Sequence, residues 1–254
     1  PCITTETWIM TTKGPAQVKN LIGVPFEALV NGKPYLSKGG FWSTGLKPVF
    51  TLGTVDGLEI QLTEDHKVLT TRDKKPWVGA RNLHSGDHIV LNNNRGNKWD
   101  GRGTFQEGWL IGNFIGDGCF AGDMEGELRY WGDHRQEMAE QALNFINQSM
   151  TTRVPLKIGS NSYGNYSQVS TVGIGKLAKS YGILKGDKVK VTPEIESAGY
   201  HFYRGFLQGI FDADGSPQGN PEKGFSVRLS QSDLSFLKGI QRMLETNRDC
   251  SEVL

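Results

Sequence analysis

Over roughly the first hundred residues, apolar and polar positions alternate in short runs, and each run is cut off by a turn signal. The clearest run is Gly57-Leu58-Glu59-Ile60-Gln61-Leu62-Thr63, with the period of two that marks a half-buried strand. Similar short strands are predicted at residues 7–11, 17–22, 26–30, 49–52, 67–71 and 88–91. They are separated by Lys13-Gly14-Pro15, Asn31-Gly32, Lys38-Gly39-Gly40, Asp56-Gly57 and Ser85-Gly86-Asp87. No long helical period interrupts them. The polar run Asn92-Asn93-Asn94-Arg95-Gly96-Asn97 then breaks the chain and reads as a linker. Beyond it the pattern changes. Helices are predicted at 108–115, 136–150, 203–211 and 234–244, and strands at 128–131, 168–174 and 225–229. A β-rich domain over 1–97 followed by a mixed α+β domain over 98–254 is the expected division.

Within the second domain a segment repeats. Leu110-Ile111-Gly112-Asn113-Phe114-Ile115-Gly116-Asp117-Gly118 aligns with Leu207-Gln208-Gly209-Ile210-Phe211-Asp212-Ala213-Asp214-Gly215. A strand and a helix follow each copy, so two similar halves are expected. Small residues stand four apart in each copy, Gly112 with Gly116 and Gly209 with Ala213, which places them on one helix face. Two such helices can approach backbone to backbone and deliver Asp117 and Asp214 side by side. A carboxylate at a helix C-terminus opposes the macrodipole at a cost of about 0.3–1 kcal/mol. Two adjacent carboxylates also repel unless they share a proton or a metal. A divalent metal relieves both costs, and phosphodiester hydrolysis requires one. One Asp-Gly alone would be no more than a helix stop; two with matching small-residue spacing are not.

Charge adds little to this. The chain of 254 residues has a net charge of +1, which by itself suggests no nucleic-acid partner. The distribution is uneven: residues 153–190 hold seven Lys and Arg against Asp187, while residues 117–140 hold seven acids against Arg129 and Arg135. A basic stretch beside an acidic one is compatible with a DNA-contacting surface next to a metal site, and equally with two solvated faces. Arg153, Lys157, Tyr163 and Tyr166 lie in a polar passage that reads either as a strip along DNA or as an ordinary loop. The three cysteines, Cys2, Cys119 and Cys250, are too few for a disulfide framework and suit a reducing, cytoplasmic setting. No signal peptide and no apolar run of membrane-spanning length is present.

The repeated segment resembles the LAGLIDADG homing endonucleases over roughly residues 107–245. The resemblance implies that the two helices form the interface between halves, and that Asp117 and Asp214 bind Mg2+ and activate water to cut both strands of double-stranded DNA. It also points to Lys190, in Lys190-Val191-Thr192-Pro193, with Lys188 as a neighbour. Such a lysine either supports the developing charge or is simply solvated. Asn113 departs from the usual pattern, being polar where the motif is apolar, and Cys119 follows the first Asp-Gly.

The first domain resembles the N-terminal half of an intein, an incomplete, horseshoe-like all-β Hint splicing domain. The matching residues are Cys2-Ile3-Thr4-Thr5-Glu6-Thr7, then Leu62-Thr63-Glu64-Asp65-His66-Lys67-Val68-Leu69-Thr70, then a strand region over 77–89. The resemblance implies that the Cys2 thiol attacks the Pro1 carbonyl to give a thioester, that His66 protonates the departing nitrogen, and that Thr63 stabilises the oxyanion. Asp65 reads as a solvent-facing strand residue, with orientation of His66 as the alternative, and His84 and His88 as turn and strand histidines. Splicing itself needs no cofactor. The Pro1-Cys2 junction is similar to inteins lodged in ribonucleotide reductases, so flanking host segments are expected partners. No closing His-Asn pair follows the second half, and Asn247 precedes Arg248. The chain is therefore expected to lack a C-terminal intein segment, and to form the thioester without completing splicing. The alternatives are a stand-alone DNA-binding protein or maturase of the same endonuclease type, and an intein relic with a decayed nuclease.

Overall fold

Turn chemistry sets most of the first part of the chain. The computed structural model describes residues 1–94, 96–151, 155–160, 164–186, 190–222 and 224–246. It divides into two compact units, Pro1–Asn97 and Lys98–Leu254. In the first unit, β1 (Trp8–Thr11) and β2 (Gly14–Gln17) form a hairpin, as do β3 (Phe26–Val30) and β4 (Lys33–Ser37). Asn31 and Gly32 both take positive φ, at 50° and 74°, as a two-residue hairpin turn matched to strand twist requires. The two hairpins join into one antiparallel sheet in the order β2-β1-β3-β4. Two further hairpins follow: β5 (Phe50–Gly53) with β6 (Glu59–Leu62), and β7 (Lys67–Leu69) with β8 (Trp77–Gly79). Met10, Val18, Leu21, Leu62, Val78 and Ala80 are the buried apolar residues of this unit.

Three sequence expectations change here. Residues 17–22 are not a strand: Val18–Leu21 is a 3-10 turn. Its two buried residues, Val18 and Leu21, stand three apart, the spacing that this helix stacks on one side. Residues 88–91 supply only an isolated bridge, Ile89 to Thr70. Strands β2 and β4 went unpredicted because Pro15 and Pro34 mask their alternation, while β8 opens the strand region expected over 77–89.

The second unit runs α1 (Phe105–Asp117), β9 (Gly118–Phe120), β10 (Gly126–Trp131), α2 (Arg135–Ser149), β11 (Gly159–Ser160), β12 (Tyr166–Thr171), α3 (Val172–Ser180), α4 (Pro193–Glu196), α5 (Tyr200–Asp214), β13 (Gly215–Asn220), β14 (Gly224–Leu229) and α6 (Leu234–Thr246). The order helix, hairpin, helix therefore occurs twice, as α1-β9-β10-α2 and α5-β13-β14-α6. The first hairpin extends into a sheet ordered β11-β12-β10-β9; β13 and β14 pair alone among the described residues. Residues 172–174, expected to continue a strand, instead open α3, because Thr171 caps the turn by accepting from the Gly173 amide. Helix α1 starts at a capping box in which Thr104 and Glu107 each accept from the other's amide, at 3.2 and 2.9 Å.

Helices α1 and α5 make the most extensive contact of any two elements. Trp109, Leu110, Ile111, Phe202, Phe206 and Leu207 are almost wholly buried along them. The seam itself is glycine. A Cβ at Gly112 would lie 2.8 Å from the Ile210 amide and meet the Phe206 carbonyl. One at Gly108 would lie 2.8 Å from the Phe206 amide, and Gly205 and Gly209 run as close to the backbone of Phe105 and Trp109. The small-residue stripe is thus longer than the repeat suggests: Gly108, Gly112 and Gly116 against Gly205, Gly209 and Ala213. Gly112→Ala should destabilise the second unit by about 1–3 kcal/mol, despite the better helix propensity of alanine, because the added methyl has no room. Gly122→Ala, where a Cβ would meet nothing within 4 Å, should stay within about 0.5 kcal/mol of the parent. Urea unfolding curves of the two variants test the contrast.

Candidate functional site

The seam ends at two carboxylates. Asp117 is the last residue of α1 and Asp214 the last of α5. Each helix closes on a glycine whose amide donates back to a phenylalanine carbonyl, Gly118 to Phe114 and Gly215 to Phe211. Neither glycine is left-handed; both are extended and lead straight into a strand. What requires glycine there is space. A Cβ at Gly118 would lie 2.6 Å from the Phe114 Cα, and one at Gly215 would lie 3.0 Å from the Phe211 carbonyl carbon. Near the pair, a Cβ on Gly116 would sit 2.5 Å from the Ala213 Cβ and 3.2 Å from Asp214 Oδ2. Bulk at the last seam position would push the two carboxylates apart.

Both carboxylates are half-buried. Burial, and then the neighbouring Asp214 charge, push the Asp117 carboxyl up to about 6. Burial also raises Asp214, against a hydrogen bond that it accepts from Gln231 Nε2 at 2.6 Å. Among the described residues no cluster of three or more His, Cys, Asp or Glu side chains is arranged for a metal. The pair nonetheless fits a hard divalent cation: two desolvated carboxylates that repel each other, at the negative ends of two helices. Such a cation accepts one or two protein carboxylates and completes its shell with phosphate oxygens and water.

Further polar residues lie along the seam beside the pair. Asp212, two positions before Asp214, accepts from Trp109 Nε1 across the seam at 2.8 Å. Asn113 is buried; its amide donates to the Trp109 carbonyl at 3.0 Å while its Oδ1 has no partner among the described residues. Tyr130 Oη is likewise buried without a partner, and burial followed by the charges of Asp117 and Asp212 raises its hydroxyl. The polar Asn113 in an apolar motif was the only signal of this cluster in the sequence. Lys190 is exposed in the segment leading into α4. Of the basic stretch, Lys179 donates to the Asp123 carbonyl and Lys185 pairs with the Asp123 carboxylate at 3.4 Å. Tyr166 packs on Trp131 with Arg129 over its ring. Arg153, Tyr163, Lys188 and the segment from Asn247 onward lie outside the described residues.

In the first unit a second group of predicted residues converges. An isolated bridge between Ile3 and Leu62 brings the chain start alongside β6. The Cys2 amide donates to Thr63 Oγ1 at 2.9 Å, and the Thr63 amide returns a bond to the Cys2 carbonyl at 3.0 Å. The Thr63 hydroxyl donates in turn to Asp65 Oδ1 at 2.6 Å. Asp65 is therefore not a merely solvent-facing strand residue. Burial lowers His66, with the Cys2 backbone and Asp65 pulling the other way, and its Nδ1 has no partner among the described residues. Thr63 thus sits on the nitrogen of the Pro1-Cys2 amide, with its own proton engaged by Asp65.

Residues 201–247 match the family model described as a LAGLIDADG-like domain. That segment covers α5 from its second residue, β13, β14 and the whole of α6, and includes Asp214. The chain is 38% identical over 78 residues to a replicative DNA helicase, DnaB, of Nostoc sp., a match covering 31% of this chain and 8% of the helicase. It is 31% identical over 209 residues to a reverse gyrase of Pyrococcus horikoshii, covering 78% of this chain and 11% of the gyrase. The chain thus spans about a tenth of the length of these relatives. Solved structures that the chain matches include I-DmoI in complex with DNA and Mn, at 15% identity and a TM-score of 0.38, covering 55% of this chain and 76% of that one. Mesophilic variants of the same homing endonuclease match with the same identity and score. No described helix is long and apolar enough to cross a membrane.

The raised Asp117 carboxyl gives a signed expectation. A carboxyl that titrates near 6 in the folded chain and near 4 when unfolded costs stability above pH 6, and that cost disappears as pH falls towards 4. Without metal, Asp117→Asn should therefore raise the Tm of the second unit at pH 7–8 by about 2–4 °C. The gain should vanish near pH 4, and thermal melts across that range measure it.

Proposed function

We propose that the second unit hydrolyses double-stranded DNA with a divalent metal at Asp117 and Asp214, and that the first unit is the N-terminal part of a protein-splicing domain acting through Cys2. The observation that carries the first half is the pair of repelling, partly desolvated carboxylates at the ends of two glycine-packed helices. The LAGLIDADG-like match over residues 201–247 supports it, and the helix, hairpin, helix order on both sides of the seam supplies the two halves that cutting two strands needs. Mg2+ is the expected ion. Once bound, the metal supplies Lewis acidity and lowers the pKa of the attacking water. The chain's own contribution is positional. The glycine seam sets the spacing of Asp117 and Asp214, Gln231 fixes one oxygen of Asp214, and the Trp109–Asp212 bond keeps the last turn of α5 from rotating. Lys190 is proposed as a charge that supports the negative charge developing at the site.

The splicing half rests on the arrangement around Cys2. With Thr63 Oγ1 on the Cys2 nitrogen and His66 beside the same residue, the groups that act on the departing nitrogen are already at the amide. Asp65 fixes the direction of the Thr63 hydroxyl. Two relatives with different names, a DNA helicase and a reverse gyrase, each share only a tenth of their length with this chain. A mobile insertion carried by different hosts produces such a distribution. Assignment to a ribonucleotide reductase host rests on the Pro1-Cys2 junction and the N-terminal block that follows it. Host segments on either side, with a C-terminal intein segment, are the proposed protein partners.

Two experiments test this reading. Plasmid DNA carrying the uninterrupted host site should be cut in Mg2+ by the parent, while Asp117→Ala and Asp214→Ala each lower cutting by at least about 10^3-fold and still shift the DNA on a gel. A stand-alone DNA-binding protein or a relic would bind without cutting. With a short host peptide fused ahead of Pro1, a small thiol should release that peptide. Cys2→Ala should abolish release, and His66→Ala should slow it by about 10^2-fold or more. Release that survives Cys2→Ala would refute the splicing reading.

A further inference from the structure

Residues 38–49, between β4 and β5, belong to no strand or helix. Two of their side chains meet the Cys2 sulfur. Thr44 Oγ1 lies 3.3 Å from Cys2 Sγ, and Lys47 Nζ lies 3.6 Å from it, donating. They approach on the side chain, whereas Thr63 holds the Cys2 backbone. Lys47 and Thr63 also line a cavity of about 460 Å³ together with Phe50 and Asp65, so small reagents can reach this part of the unit.

We propose that Lys47 is a catalytic residue of the Cys2 reaction: its ammonium stabilises the Cys2 thiolate, with the Thr44 hydroxyl as second donor to the sulfur. This rests on the splicing reading above. A lysine ammonium has three donors and no acceptor, so it acts as a fixed charge and not as a base. The thiolate, not the thiol, is the nucleophile, and a nearby cation raises its fraction at neutral pH. The Cys2 thiol is accordingly lowered: the Thr44 hydroxyl has the largest effect, burial opposes it, and the Lys47 charge and the terminal amino group add smaller lowering effects. In the acyl shift the sulfur forms a bond to the Pro1 carbonyl carbon and the bond from that carbon to the Cys2 nitrogen breaks. The proton lost by the thiol ends on the nitrogen, by way of His66. Lys47 is unchanged, and no oxidant or further reactant enters.

The test uses the full chain with a short peptide fused ahead of Pro1, so that no terminal ammonium lies beside the thiol. Alkylation of Cys2 by iodoacetamide is followed against pH by peptide mass, which separates it from Cys119 and Cys250. Peptide release by a small thiol is followed in parallel. Lys47→Gln should slow Cys2 alkylation at pH 7 by about two- to fivefold, the range for an exposed charge pair, and should move the midpoint upward. Lys47→Arg should restore most of the rate. The difference should shrink in 1 M salt, where exposed charges are screened within about 3 Å, and release should slow with the same upward shift in its pH profile. Thr44→Val should act in the same direction. An alkylation profile unchanged by Lys47→Gln overturns the proposal even if release proceeds. A shifted alkylation profile in a parent that releases no peptide leaves the Lys47–Cys2 coupling standing and removes the splicing reading, and with it the catalytic role.

Discussion

Close approach of two helix backbones is the constraint on which the second unit depends. Gly108, Gly112 and Gly116 face Gly205, Gly209 and Ala213, and a methyl on most of them would strike the opposite main chain. Approach at that distance buries large side chains around the seam, from Trp109 to Phe206. It also determines where the helices stop. Because the two helices run together to their last residues, Asp117 and Asp214 arrive as neighbours whether or not their charges favour it. Packing energy thereby holds two like charges at close quarters, and burial first, with the Asp214 charge adding to it, raises the Asp117 carboxyl. Stability is spent on an arrangement that a divalent cation would relieve.

The first unit uses a different device for a similar end. Cross-strand register, not helix contact, brings residues sixty positions apart together, through the Ile3–Leu62 bridge and the reciprocal bonds between Cys2 and Thr63. The amide ahead of Cys2 is flanked by Thr63 and His66, while the sulfur faces Thr44 and Lys47. The nitrogen and the sulfur of one residue are thus handled by separate segments, which lets each be tuned independently.

What was legible in the sequence followed from periodicity and repetition. The long helices showed because their apolar positions recur at helical spacing, and the Asp117 and Asp214 motif showed because it occurs twice. The hairpin at Asn31-Gly32 showed because few residue pairs tolerate two positive φ values. What escaped depended on contacts far apart in the chain. Thr44 and Lys47 lie in a segment without pattern. Asp65 looks like any exposed strand residue until Thr63 turns towards it. Gln231 and Tyr130 carry no motif. The bond from Trp109 to Asp212 spans the seam between the two halves, so neither copy of the repeat displays it. Helix α3 was hidden because Val172 and Ile174 suit a strand until Thr171 caps the turn.

The most direct measurement is the titration of the Asp117 carboxyl, followed by 13C NMR of selectively labelled aspartate in the metal-free chain and again after Asp214→Asn. Forced pairing at the end of the glycine seam predicts a midpoint near 6 in the parent. Neutralising Asp214 should lower it, though not to the ordinary value near 4, because burial remains. A midpoint near 4 that Asp214→Asn leaves unmoved would mean that the two carboxylates do not meet, and would contradict a shared metal site at the ends of α1 and α5.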